Sequence, residues 1–260
     1  MRNIIIVGNG FDLAHNLPTS YSLFIDNLIL TEFNKKSSDL IHPFFSKSIG
    51  EIANKKLNER TVKYIAISGK EFSFTTSNIF LADLIQQKGQ NKKNWSDIEA
   101  FYYEVLLKTN DTSLILLQRD FEIIKQKLIN YLNSISKVSK ANINFEHFFS
   151  HNYFSNGEIQ NNLILNFNYT NTLEKLYENK LERFKIEHVH GKLSNFDEGY
   201  IVFGHDMSIE TYRSYIDIKD EEFFKNIKFI NYRLNSKFEI LKSFLSKESF
   251  FNVFVIGHSC

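Results

Sequence analysis

The sequence predicts an α/β protein: a mainly parallel sheet built from both ends of the chain and interrupted by a mostly helical insertion. Three observations carry this. Short apolar runs of buried-strand character stand near both ends of the chain, at 3–7 and 250–256. Helical patterns separate the strand-like runs, which calls for crossover connections and hence parallel pairing. Each strand-like run ends in small, polar or ionisable residues, the pattern of a sheet whose carboxyl ends line one crevice.

Residues 3–7 run into Gly8-Asn9-Gly10 and read as a buried strand entering a tight turn. A helix is expected from about 21 to 33, with Ser20 or Ser22 as N-cap and Phe24 and Leu28 on its apolar face. From about 35 to 160, Lys- and Asn-rich stretches separate helical patterns and strand-like runs are few. One helix opens at Asn94–Glu99, with Ser96 as cap and acidic residues at its positive end. The clearest helix spans 111–134, with Leu114, Leu117, Phe121, Ile124, Leu128 and Tyr131 at three- to four-residue spacing. That seam fits packing on its own domain, the preferred reading, or a homo-oligomer contact. Strands return at 163–167, 185–189 and 200–203, and a long amphipathic helix is expected over about 220–246. The resulting division is 1–34 plus 161–260 for the sheet domain and 35–160 for a helical insertion or lid.

Composition narrows the function classes. The 260 residues carry 31 Lys+Arg against 30 Asp+Glu, so no global positive field attracts nucleic acid or an anionic membrane. The single cysteine, Cys260, excludes a disulfide framework and a cysteine zinc site. No run approaches the roughly 20 apolar residues of a membrane span. The apolar start is too short for a signal-peptide core, so a cytoplasmic protein is expected.

The glycine turn is the first chemical signal. Gly8, Asn9 and Gly10 between a strand and a helix would let the backbone approach a diphosphate at a helix N-terminus. Leu13 stands where a third glycine would complete the dinucleotide fingerprint, which disfavours an ordinary dehydrogenase. The later strand ends are Asn166-Phe167-Asn168-Tyr169-Thr170, His188-Val189-His190-Gly191, Gly204-His205-Asp206 and Gly257-His258-Ser259. His188, His190, His205 and His258 could form a metal site, but no helical His-x-x-x-His pair supports it and no metal is expected. No Gly-x-Ser-x-Gly elbow or phosphate-loop Gly-Lys-Ser/Thr sequence occurs.

The stretch Gly8–Tyr21, the stretch Asn166–Glu174, the pair His190-Gly191 and the run Val255–Ser259 together resemble the AbiH-type bacteriophage abortive-infection proteins. Members of that family run on past the Gly-His-Ser turn, so this chain is expected to lack a C-terminal portion. The motif order is more distantly similar to the sirtuin superfamily, which binds NAD in a Rossmann-like domain. Asn16, Tyr21, Thr170 and His205 depart from sirtuin positions, and no four-cysteine zinc module follows His190. The resemblance therefore implies NAD hydrolysis rather than protein deacetylation. It also implies nucleotide contacts for Phe11, Thr170, Gly191, Gly204, His205, Gly257, His258 and Ser259, in addition to the turn Gly8-Asn9-Gly10.

Cleaving the nicotinamide–ribose bond develops oxocarbenium character at the sugar. On this reading His190 is the base, with an unperturbed pKa near working pH. Asn168 orients ribose or water, and Asp12 stabilises developing positive charge or binds a ribose hydroxyl. The plainer readings are a capped His-Gly turn, an N-cap turn at Asn168-Tyr169-Thr170, a local turn acceptor at Asp12, and one of His188 and His190 facing the core or the sheet's other side. The expected ligand is a nucleotide small molecule, with no membrane or nucleic-acid partner. The alternatives are a non-catalytic nucleotide-sensing module and an inactive shortened family member.

Overall fold

The computed structural model describes residues 2–32, 60–65, 71–87, 95–135, 140–154, 161–193, 201–217, 219–234, 236–247 and 250–258. In chain order the elements are β1 (Arg2–Val7), α1 (Asn9–Ala14), α2 (Tyr21–Glu32), β2 (Arg60–Ile65), β3 (Glu71–Thr76), α3 (Ile79–Gln87), α4 (Trp95–Lys108), α5 (Asp111–Ile135) and α6 (Ile143–Phe149). They continue with β4 (Asn162–Asn166), α7 (Thr172–Tyr177), β5 (Lys185–His188), α8 (Ile209–Tyr215), α9 (Glu221–Phe224), α10 (Lys228–Leu234), α11 (Lys237–Leu245) and β6 (Phe251–Ile256). Contacts divide the chain into two compact units, 1–19 with 132–203 and 227–260, and 20–131 with 204–226.

The first unit holds a four-stranded, all-parallel sheet of order β5-β4-β1-β6. The alternation of side chains along β1 divides the apolar contacts between its two faces. Ile5 and Val7 pack with Ile164 against Phe11 of α1, Phe149 of α6, and Leu173 and Tyr177 of α7. Ile4 and Leu163 pack against Phe244 of α11, with Ile6, Leu165 and Leu241 alongside. Helices therefore cover both faces, as parallel sheets require, and the arrangement is Rossmann-like.

Register is fixed by a polar device inside this apolar sheet. Asn3 lies opposite Asn162 on one side and Asn252 on the other. Its Nδ2 donates to Asn162 Oδ1 at 2.6 Å, and its Oδ1 accepts from Asn252 Nδ2 at 2.9 Å. A one-residue slip would turn these amides to the opposite face and leave buried polar groups unpaired.

The edge strand β6 pairs with β1 alone among the described residues, and Val253 and Val255 remain 57% and 47% exposed on one of its faces. An apolar open edge favours pairing with another chain. Val253→Lys should lower light scattering at high protein concentration while leaving the melting temperature close to wild type. Unchanged scattering would mean that this edge is already covered in solution.

The second unit is largely helical, with an antiparallel β2–β3 hairpin. Its start is legible, because Ser20 Oγ accepts the Leu23 N–H at 3.4 Å. Asn78 caps α3 by accepting from Leu81 N–H at 2.7 Å, and Asp120 of α5 accepts from Ile79 N–H at 2.8 Å. Phe24, Leu81, Tyr102, Phe121, Ile124 and Leu128 are all buried.

Several expectations are corrected. Helix α4 opens at Trp95, so Ser96 lies inside it rather than capping it. Among the described residues no strand forms at 201–203, where Ile201 makes an antiparallel bridge to Gly191; Tyr200 lies outside the described residues. The helix expected over 220–246 is three helices, α9, α10 and α11. At the first break the Asn226 carbonyl accepts from His205 N–H at 3.0 Å, which diverts it from helical pairing. At the second, Ser236 takes a left-handed backbone with φ 58°. The unit boundaries also differ from the sequence division: α2 and 204–226 group with the helical unit, and 132–160 with the sheet.

Candidate functional site

The carboxyl ends of β1, β4, β5 and β6 are joined by backbone and side-chain bonds in the sheet unit. Gly8 N–H donates to the Ile256 carbonyl at 2.9 Å, Gly10 N–H to the Gly257 carbonyl at 2.7 Å, and Phe11 N–H to the Gly8 carbonyl at 2.9 Å. These N–H groups, which the diphosphate reading reserves for a ligand, are committed within the chain. The glycines are needed for close packing instead: a Cβ on Gly8 or Gly10 would stand 2.7 Å from backbone atoms of the Gly257-His258 turn. Asn9 Oδ1 accepts from Thr19 Oγ1 at 2.6 Å.

Phe11 is a core residue. It is fully buried, and its ring lies 4.5 Å from that of His15 and 4.8 Å from that of Phe145. This packing gives the Phe11 side chain a structural role in the core.

Asp12 is 1% exposed. Its Oδ2 accepts from Thr170 Oγ1 at 2.7 Å, and Thr170 Oγ1 accepts in turn from Thr172 at 3.0 Å. Oδ1 is buried with no hydrogen-bond partner among the described residues. Burial raises the Asp12 pKa above its ordinary value, against the opposing pull of Thr170, Thr172, His15 and His188.

Asn168 ties three strand ends together. Its N–H donates to Asn166 Oδ1 at 3.0 Å, its Nδ2 donates to the Gly8 carbonyl at 3.0 Å, and its own carbonyl faces His188 Nδ1 at 3.1 Å. The other His188 nitrogen, Nε2, lies 2.7 Å from Glu174 Oε1, which also accepts from Lys192 at 2.6 Å. Burial works against ionisation of Glu174, yet the His188 and Lys192 contacts outweigh it and hold its pKa at about 2. Its second oxygen is buried without a hydrogen-bond partner among the described residues.

His190 sits in an aromatic setting, with ring centroids 5.2 Å from Phe167, 5.8 Å from Tyr169 and 6.1 Å from Tyr232, the last almost parallel at 7°. Burial, followed by the charges of Lys228 and His258 and opposed by the Phe167 carbonyl, pushes its pKa down to about 3. The expectation of a pKa near working pH is corrected by these causes, and at neutral pH the ring is uncharged. His258 packs edge-on against Phe167 at 4.8 Å, and its Nδ1 is buried without a hydrogen-bond partner among the described residues. Gly191 and Gly257 have positive φ, 83° and 60°. Ser259 lies outside the described residues.

Gly204 and His205 belong to the helical unit. With no strand at 201–203 among the described residues, they do not follow a strand of the sheet. A Cβ on Gly204 would stand 2.0 Å from the Asn226 carbonyl oxygen, and the His205 ring stacks on Tyr103 at 4.7 Å. Among the described residues no three His, Cys, Asp or Glu side chains could hold a metal ion. A cavity of about 180 Å³ lined by 149–151, 154, 179–180 and 182–184 lies where the chain enters β5, away from the carboxyl ends.

Sequence reasoning missed Glu174, Lys192 and the role of His188. Glu174 closes the Asn166–Glu174 stretch, but an acid in a first helical turn reads as an ordinary dipole partner. The residues brought together are Asp12, Asn168, Thr170, Glu174 and His188, with His190 two residues beyond β5.

A Rossmann-like parallel sheet whose strand ends share a buried polar network defines an α/β protein with its candidate site at the carboxyl edge. The chain belongs to the AbiH family, bacteriophage abortive infection, whose family model matches residues 4–260. No curated protein and no solved structure matches it. No helix among the described residues is long and apolar enough to cross a membrane.

Proposed function

We propose that this AbiH-family protein acts in abortive infection by binding NAD at the carboxyl edge of its sheet and cleaving the nicotinamide–ribose bond. The observation that carries the reading is Asp12: a carboxylate 1% exposed, in α1 just beyond β1, with one oxygen left without a donor among the described residues. Such a group costs free energy unless a ligand completes it. A ribose hydroxyl, or the positive charge that develops on the sugar as nicotinamide leaves, would do so. Asn168, anchored at three points, has its Oδ1 uncommitted for orienting ribose or water. His190 is a neutral ring among aromatic neighbours and accepts, rather than repels, a hydroxyl proton.

Wild-type protein incubated with NAD should release nicotinamide, and Asn168→Ala/His190→Ala should release on the order of 10²-fold less or lower still, with a cooperative melt retained. Equal release from both forms would remove these residues from the mechanism. The depressed His190 pKa gives one reason for a second reading, a sensing module that binds without turnover. NAD raising the melting temperature with no nicotinamide release would select that reading.

A further inference from the structure

We propose that Glu174, His188 and Lys192 form a charged clamp that holds Asn168, with His188 acting as a positioning residue in its imidazolium form. The catalytic part of this inference rests on the reading just given, while the protonation state of the clamp does not. Both His188 nitrogens face acceptors: Nδ1 lies 3.1 Å from the Asn168 carbonyl and Nε2 2.7 Å from Glu174 Oε1. A carbonyl only accepts, and an ionised carboxylate only accepts, so one ring satisfies both only with a proton on each nitrogen. A neutral ring would set a lone pair against an oxygen in a site 8% exposed.

The surroundings compensate that cation. Glu174 of α7 touches it directly, and Asp12 of α1 is close enough for His188 to lower its pKa. Lys192, beyond β5, bonds the same Glu174 oxygen at 2.6 Å and reinforces ionisation of the carboxylate. His15 also acts to lower the Asp12 pKa, while His190 is held neutral. The clamp thus locks the carbonyl of Asn168 while Asn166 and Gly8 lock its N–H and side-chain amide.

The first test reads the ring itself. In a ¹⁵N spectrum of the wild-type protein at neutral pH, assigned by loss of the signals in His188→Gln, both ring nitrogens should be protonated. In Glu174→Gln the amide can donate to Nε2, so the ring should become neutral with its contacts kept. A neutral His188 ring in wild type would overturn the clamp.

The second test separates the two nitrogens. His188→Asn places a donor where Nδ1 stands and keeps the Asn168 contact, whereas His188→Gln places one where Nε2 stands and keeps only Glu174. The Asn variant should release nicotinamide close to the wild-type rate. The Gln variant should lose on the order of 10²-fold in kcat, the size of effect a misplaced group produces, with KM unchanged. Equal loss in both variants would overturn positioning through Asn168. If wild type itself releases no nicotinamide, the NAD reading fails, and the ring spectrum still decides the clamp.

Discussion

Gly257→Ala is expected to unfold the sheet unit rather than merely weaken a ligand. Gly257 has φ +60°, which costs an L side chain about 1–2 kcal/mol. Its added Cβ would also stand 2.4 Å from Phe11 N, 2.5 Å from Gly10 C and 2.7 Å from Gly10 Cα. All three are backbone atoms, so relief requires moving the α1 turn away from the end of β6 and giving up the Gly10–Gly257 bond. A combined loss of about 4 kcal/mol or more approaches the lower end of domain stability. Denaturant unfolding measures it. If Gly257→Ala melted within about 1 kcal/mol of wild type yet lost nucleotide binding, the glycine turn would be a ligand cradle and not a packing joint.

Acid should destabilise the protein in two steps. His190 has a folded pKa of about 3, against about 6.5 in an unfolded chain. The unfolded state therefore takes up the proton first. The stability associated with the neutral ring is complete above about pH 6.5 and is lost as pH falls toward 3, at up to about 1.4 kcal/mol per pH unit before solvent screening of this half-buried group reduces it. Glu174, held at about 2 against an ordinary 4.5, adds a second loss below about pH 4.5. Asp12 works in the opposite sense, since its raised pKa means that protonation relieves part of its burial cost. Melting temperatures at pH 7, 5.5, 4.5 and 3.5 should fall in wild type, and His190→Gln should flatten the fall down to about pH 4.5 while keeping the Glu174 loss below it. The same slope in both proteins would assign the upper step to another group.

The motif residues Asp12, Asn168 and His190 are legible in the sequence because a polar residue after an apolar strand has few places to go. What that reading misses is where backbone donors are spent. Gly8, Gly10 and Phe11 have the residue types of a phosphate turn, but two of their N–H groups meet carbonyls of a turn more than 240 positions away. Of His188 and His190, one is expected to face away from the site, and nothing local says that the His188 ring reaches both Asn168 and Glu174. Phe203-Gly204-His205 reads as a strand end, and it becomes something else because the Asn226 carbonyl captures His205 N–H.

The sequence by itself determined the apolar alternation of β1 and β4, the start of α2 at Ser20 and the extent of α5, since each depends on neighbours within a few turns of chain. Tertiary structure alone decided the strand order, the asparagine ladder that fixes register, the breaks in 220–246 and the protonation chemistry of the site. Those depend on pairings between residues from about 14 to almost 250 positions apart, such as Glu174 with His188 and Asn3 with Asn252. Local propensity has no term for such partners, and burial supplies the energy that selects them.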